Sequence, residues 1–210
     1  MTDTTPRPPL DLPALMDRCH AGAKAKGFWP EGNPPNPGQQ LMLAIGELAE
    51  AQEADRKNRR ANLPAYELAI DQRIATWIHP NPPPRTEVCA PLFEGFIKDS
   101  VEDELADCYI RLLDFAVGFG KADFVVRLYK GQPHSSLPEN FGAALLRLTG
   151  HIRDTMPGTS PSGSIHSDQL AEALRGIEEL ATRMGIDLFR HIDLKLAYNS
   201  LRGFKHGKAY

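Results

Sequence analysis

The sequence of 210 residues is short of several things, and each shortage removes a class of function. It has three cysteines, Cys19, Cys89 and Cys108, with no Cys-x-x-Cys spacing. An odd number without metal-finger spacing argues against a disulfide framework or a zinc site and predicts free thiols in a reducing compartment. Charge of one sign is not in excess. Lys and Arg number 24 against 27 Asp and Glu, a net charge of −3, so nucleic-acid binding through bulk charge is not expected. No apolar run approaches the roughly 20 residues that a membrane span needs. The start, MTDTTPRPPLDLP, lacks the apolar core of a signal peptide. These absences lead to the expectation of a cytoplasmic protein with neither nucleic acid nor membrane as partner. There is also no internal repeat, no Gly-rich βαβ unit and no Ser/His/Asp or Cys/His arrangement.

What the chain does have is helical periodicity. Residues 1–10 are polar and proline-rich and are expected to be disordered. LPALMDRCHAGAKAKG predicts a helix stopped by Gly27, and FWPEGNPPNPG a loop. Asn36, Pro37 and Gln39 form an N-x-x-Q start for a helix from about 37 to 59. At 100° per residue its apolar face is Leu41, Ala44, Ile45, Leu48 and Ala51. Residues 60–97 read as an insertion, with a helix in LPAYELAIDQRIATWI ended by HPNPPPRTE and an ambiguous VCAPLFEGFI. Ser100 caps a second clear helix that runs to about Gly118. Its apolar face includes Leu105, Cys108, Leu112 and Phe115, and its polar face is Glu104, Asp107, Arg111 and Asp114. Further helices are predicted over about 138–156, from a Ser167 cap to Gly185, and over about 187–202. The expectation is one all-α helical bundle over 11–210, with insertions at about 60–97 and 121–183.

Two of these helices carry an acidic pair at i, i+3: Glu47/Glu50 and Glu104/Asp107. That spacing puts both members of a pair on one face and leaves like charges side by side. If the helices pack antiparallel, four carboxylates converge, and burying them needs a cation. Hard divalent ions take such oxygen ligands. The alternative is a solvated acidic face, with Asp107 and Arg111 as an ordinary i, i+4 pair. Glu53 and Asp114 are expected to be solvated. A di-iron bundle wants Glu-x-x-His on two helices, and neither pair has a His at that offset.

On the last helix Lys195, Asn199 and Arg202 share a face, followed by Lys205, His206 and Lys208. Cations at a helix C-terminus suit its dipole, and the same set suits a phosphate. Phe28 and Trp29, just ahead of the first acidic helix, either stack on a base or pack as a core edge.

Together these blocks resemble the MazG-like branch of the all-α nucleoside triphosphate pyrophosphatases. That family is marked by E-x-x-E and E-x-x-D on successive helices, here ELAE (47–50) and ELAD (104–107). KGFW (26–29) resembles the segment before the first metal helix, and KLAYNSLRGFKHGK the Lys-x-x-x-Asn-x-x-Arg tail. The likeness covers roughly 14–59, 98–119 and 185–208, and the two insertions are unmatched. The resemblance implies a Mg²⁺-dependent (Mn²⁺ also suits) pyrophosphohydrolase that turns a (deoxy)nucleoside triphosphate into the monophosphate and diphosphate. Glu47, Glu50, Glu104 and Asp107 would hold the metal, with Glu50 as general base. Lys195, Asn199, Arg202, Lys208 and His206 would contact phosphate, and Trp29 the base. The flanks resemble small, phage-type members and lean toward purine dNTPs such as dGTP or dATP. Other substrates in the same fold are dUTP, dCTP or an alarmone. A reading from a different class is a non-catalytic helical interaction protein. The broad apolar faces of both acidic helices, with the habit of the family, predict a homodimer or tetramer.

Overall fold

The computed structural model describes residues 10–76, 89–131, 136–156 and 164–204. Among them there are only helices and no strand, so the fold is all-α. The elements are α1 (Leu12–Ala25), α2 (Pro37–Arg56), α3 (Leu63–Ala75), α4 (Ala90–Phe96), α5 (Val101–Gly118), α6 (Ala122–Gly131), α7 (Phe141–Asp154), α8 (Ser167–Arg183) and α9 (Leu188–Leu201). No described helix is long and apolar enough to cross a membrane.

Capping chemistry sets most of the boundaries. Asn36 accepts from the Gln39 N–H (3.1 Å), Ser100 from the Asp103 N–H (3.2 Å) and Asp187 from the Arg190 N–H (3.1 Å), each satisfying an amide that lacks an intrahelical partner. Beyond α1, Gly27 takes a φ of +82°, the left-handed conformation that ends helices at glycine. Two boundaries differ from expectation. α2 stops at Arg56 rather than near 59 because Asn58 turns left-handed, with φ +52°. Ser167 is the first residue of α8 rather than its cap, which is His166 with no side-chain bond.

α5 is the central helix. Most of its residues are buried, and α1, α2, α8 and α9 pack around it. α2 lies antiparallel to it. The Val101 N–H donates to the Arg59 carbonyl at one end (3.2 Å), while Arg111 meets Glu47 further along. The broad apolar faces of α2 and α5 are therefore covered within the chain, α2 also by α7.

Each insertion has a packing role. α3 and α4 form a second small core with α9, in which Phe93 stacks on Tyr198 at 4.4 Å and 15° and Ile97 is fully covered. This packs α4 against α9. α6, α7 and α8 extend the main core, where Tyr109 of α5 and Tyr129 of α6 both donate to Glu178 of α8. The ambiguous VCAPLFEGFI is thus partly helical, as α4. HPNPPPRTE, the segment 157–163, residues 1–9 and the tail residues Lys205, His206 and Lys208 lie outside the described residues.

Candidate functional site

α5 carries five carboxylates, and all but Asp107 have less than a tenth of their surface exposed. Buried charge must be met by a counter-charge or hydrogen bonds, so their partners define the site. Glu102 accepts from Arg60 (2.9 Å) and the Ala61 N–H (2.9 Å). Asp103 Oδ2 accepts from Lys195 Nζ (2.9 Å) and the Asp99 N–H (3.0 Å). Asp107 Oδ2 stands 3.0 Å from the same Lys195 Nζ. Asp114 meets His20 Nδ1 at 2.7 Å and accepts from the Trp29 indole N–H at 2.9 and 3.0 Å. Glu104 makes no hydrogen bond or ion pair among the described residues, although it is only 3% exposed.

Glu104 lies beside two other acids. Glu47, Glu104 and Asp107 each bring a carboxylate oxygen within 4.8 Å of the other two. Asp99, Asp103 and Glu104 form a second such group, which Lys195 already serves through Asp103. Glu47 is also buried, and Arg111 Nε donates to its Oε1 at 2.6 Å.

These contacts set the protonation of the group. Burial, then the charge of Asp103, pushes the Glu104 pKa up to about 9. Burial raises Asp103 to about 6 against the pull of Lys195. Burial and the neighbouring Asp107 raise Glu47, with Arg111 opposing. Asp107 goes the other way: burial would raise it, but Lys195 and Arg111 outweigh that and hold it below the usual carboxylate range. Burial would lower Lys195, but Asp107 and Asp103 raise it, so it stays charged. Perturbed groups of this kind gather where chemistry or ion binding happens, although structural ion pairs perturb them as well.

The cluster opens on a cavity of about 420 Å³, the size of a small-molecule site. Glu47, Glu50, Glu104 and Asp107 line it, and so do Lys195, Asn199 and Arg202. Phe28, Leu43, Ile110 and Leu196 give it an apolar wall. The seven acidic and C-terminal-helix residues singled out in the sequence and lying in described segments therefore meet on one cavity. Glu50 is exposed there and stands outside the close carboxylate trio.

Two expectations are corrected. Asp114 is not solvated, being 8% exposed and holding His20 and Trp29. Trp29 does not line the cavity. Its ring packs edge-on to His20 (5.0 Å) and Phe119 (5.2 Å), over the bare Cα of Gly118, so Phe28 is the aromatic at the cavity. Glu53 is about half-exposed as expected, and bonds to Arg56 hold its pKa down near 2.

Sequence reading missed Asp103, Arg111 and Lys26 as members of this site. Asp103 and Asp107 stand at i, i+4, a like-charge pair that asks for a cation as the i, i+3 pairs do. Arg111 reaches the other helix, a choice that spacing does not reveal. Lys26 lines the cavity and its Nζ donates to the carbonyls of Ser200 (2.7 Å) and Arg202, closing the C-terminal end of α9.

Compared with protein-family models, with curated proteins and with solved structures, the chain matches none.

Proposed function

We propose that this protein is a Mg²⁺-dependent nucleoside triphosphate pyrophosphohydrolase of the MazG-like type. The observation that carries this reading is the meeting on one cavity of the Glu47, Glu104 and Asp107 oxygens, the Asn199–Arg202 end of α9 and an apolar wall. A nucleoside triphosphate has the matching parts: an anionic chain that travels with a divalent ion, and a flat base with apolar faces.

The donor set fits Mg²⁺. It is all oxygen, as hard ions require, and Glu104 is a buried carboxyl with no hydrogen-bond or ion-pair partner among the described residues. Mn²⁺ suits the same donors. When bound, the ion offsets charge on the phosphate oxygens and makes a water more acidic. The chain does the rest. Glu47, Glu104 and Asp107 hold the ion. Glu50, exposed at the cavity and outside the trio, takes the proton of the attacking water as general base. Arg202 forks onto the outgoing phosphates and the Asn199 amide donates to them. Water oxygen bonds to the α-phosphorus, the bond from that phosphorus to the bridging oxygen of diphosphate breaks, and no covalent enzyme intermediate forms. Phe28 faces the base. Purine dNTPs are the preferred substrates in this reading.

The test is diphosphate release from a panel of NTPs and dNTPs with Mg²⁺, wild type beside Glu50→Gln. Release from a preferred nucleotide, lost with EDTA and with the substitution, is the expected result. Silence from every triphosphate with Mg²⁺ and with Mn²⁺ rejects the reading.

A further inference from the structure

Lys195 is an unusual occupant of an acidic site. It is 5% exposed, and its Nζ donates to Asp103 at 2.9 Å and lies 3.0 Å from Asp107, two carboxylates one turn apart on α5. An ammonium so placed is spent on the protein rather than offered to a ligand's phosphate. Asp107 is also one of the three acids whose oxygens converge with those of Glu47 and Glu104. The same carboxylate thus serves two cation positions, one filled by Lys195 and the other formed by the trio.

The surroundings let Lys195 remain charged if Asp107 turns away. Asp103 stays beside it, itself held by the Asp99 N–H. The Phe93 ring lies 5.9 Å from Nζ, a cation–π distance. α9 is anchored independently by the Arg18–Asp193 ion pair (2.8 Å) and by the Phe93–Tyr198 stack. With all four ionised, Glu47, Asp103, Glu104 and Asp107 exceed their two cations, Lys195 and Arg111, by two charges, which one divalent ion balances.

We propose that Lys195 is the resident cation of the carboxylate cage, and that a divalent ion binds by taking Asp107 from it while Lys195 stays on Asp103. The proposal rests on the metal reading above and gives Lys195 a positioning role in place of a phosphate contact. Lys195 keeps the metal-free site folded and weakens ion binding, because every ion that enters must first displace an ammonium.

Mn²⁺ binding by calorimetry, without nucleotide, on wild type and Lys195→Met tests this. The variant should have a lower Tm in EDTA, bind Mn²⁺ about tenfold more tightly or better, and gain more Tm from it, since no charge-assisted bond is given up. Binding in the variant equal to or weaker than wild type overturns the proposal but leaves the metal reading intact. Binding by neither protein overturns both. A second measurement on the wild type covers a variant that fails to fold. The side-chain ammonium resonance of Lys195, identified by its loss in Lys195→Arg, should shift on saturation with Mg²⁺. A resonance unmoved by saturating Mg²⁺ overturns the displacement.

Discussion

Arg111 Nε donates to Glu47 Oε1 across 2.6 Å and ties α5 to α2 at the cavity. The bond separates two acids that look alike in the sequence. Glu47 is buried and paired, while Glu50, one turn on, is exposed at the cavity.

That difference predicts two distinct losses. Glu50→Gln should lower kcat by about 10²–10⁴-fold, the usual worth of a general base, and leave Mn²⁺ affinity near wild type. Glu104→Gln should weaken Mn²⁺ binding itself, because it neutralises a trio member. Calorimetric Mn²⁺ titration beside diphosphate-release kinetics distinguishes them.

The raised Glu104 pKa predicts a pH dependence in the metal-free protein. The folded value of about 9 lies above the ordinary 4.5, so the folded state holds this proton more tightly than the unfolded chain. The stability it contributes is complete below the unfolded pKa and is lost as pH rises toward 9. Asp103, raised to about 6, adds the same trend at lower pH. In EDTA the Tm should therefore fall between pH 5.5 and 8.5. Saturating Mg²⁺ should flatten or reverse that slope, because the ion replaces the proton. Thermal melts at both pH values, with and without Mg²⁺, check both statements.

Gly118 sits under the Trp29 ring, where an added Cβ would come within 2.0 Å of the indole. The indole cannot simply move aside, since its N–H is held by Asp114. Gly118→Ala should cost roughly 1–3 kcal/mol despite alanine's better helix propensity, read from the urea midpoint. A stabilised variant would mean that the Trp29 loop is loosely held.

The three thiols should react unequally. Burial pushes Cys19 up to about 12 and raises Cys108 well above its ordinary value, and both side chains are covered. Thiolate is the reactive form, so both should resist alkylation in the folded protein. Cys89 is partly exposed and should be labelled first. Mass spectrometry after brief iodoacetamide treatment should find one modified cysteine in native protein and three after denaturation.

Much of the helical layout could be read along the chain. The apolar spacing of Leu41, Ala44, Leu48 and Ala51, the caps at Asn36 and Ser100, and the stop at Gly27 are set by residues within one or two turns of each other. The i, i+3 spacing likewise put Glu47 with Glu50 and Glu104 with Asp107, and i, i+4 put Lys195 with Asn199. Such local relations do not depend on what packs where.

Which charge meets which was a matter for the tertiary structure. Asp103 and Lys195 are 92 positions apart, and His20 and Asp114 are 94 apart. Nothing local distinguishes the half-exposed Glu53 from the buried Asp114, both acids on helices. Burial separates them: most of α5 is enclosed, and a carboxylate on it depends for its partner on whichever segment arrives beside it. The sequence by itself determined the helices and the acids they carry. Only packing decided that Lys195 and Arg111 answer Asp107 and Glu47, and that Glu104 is left facing the cavity, because desolvation makes a buried charge depend on its nearest neighbours in space.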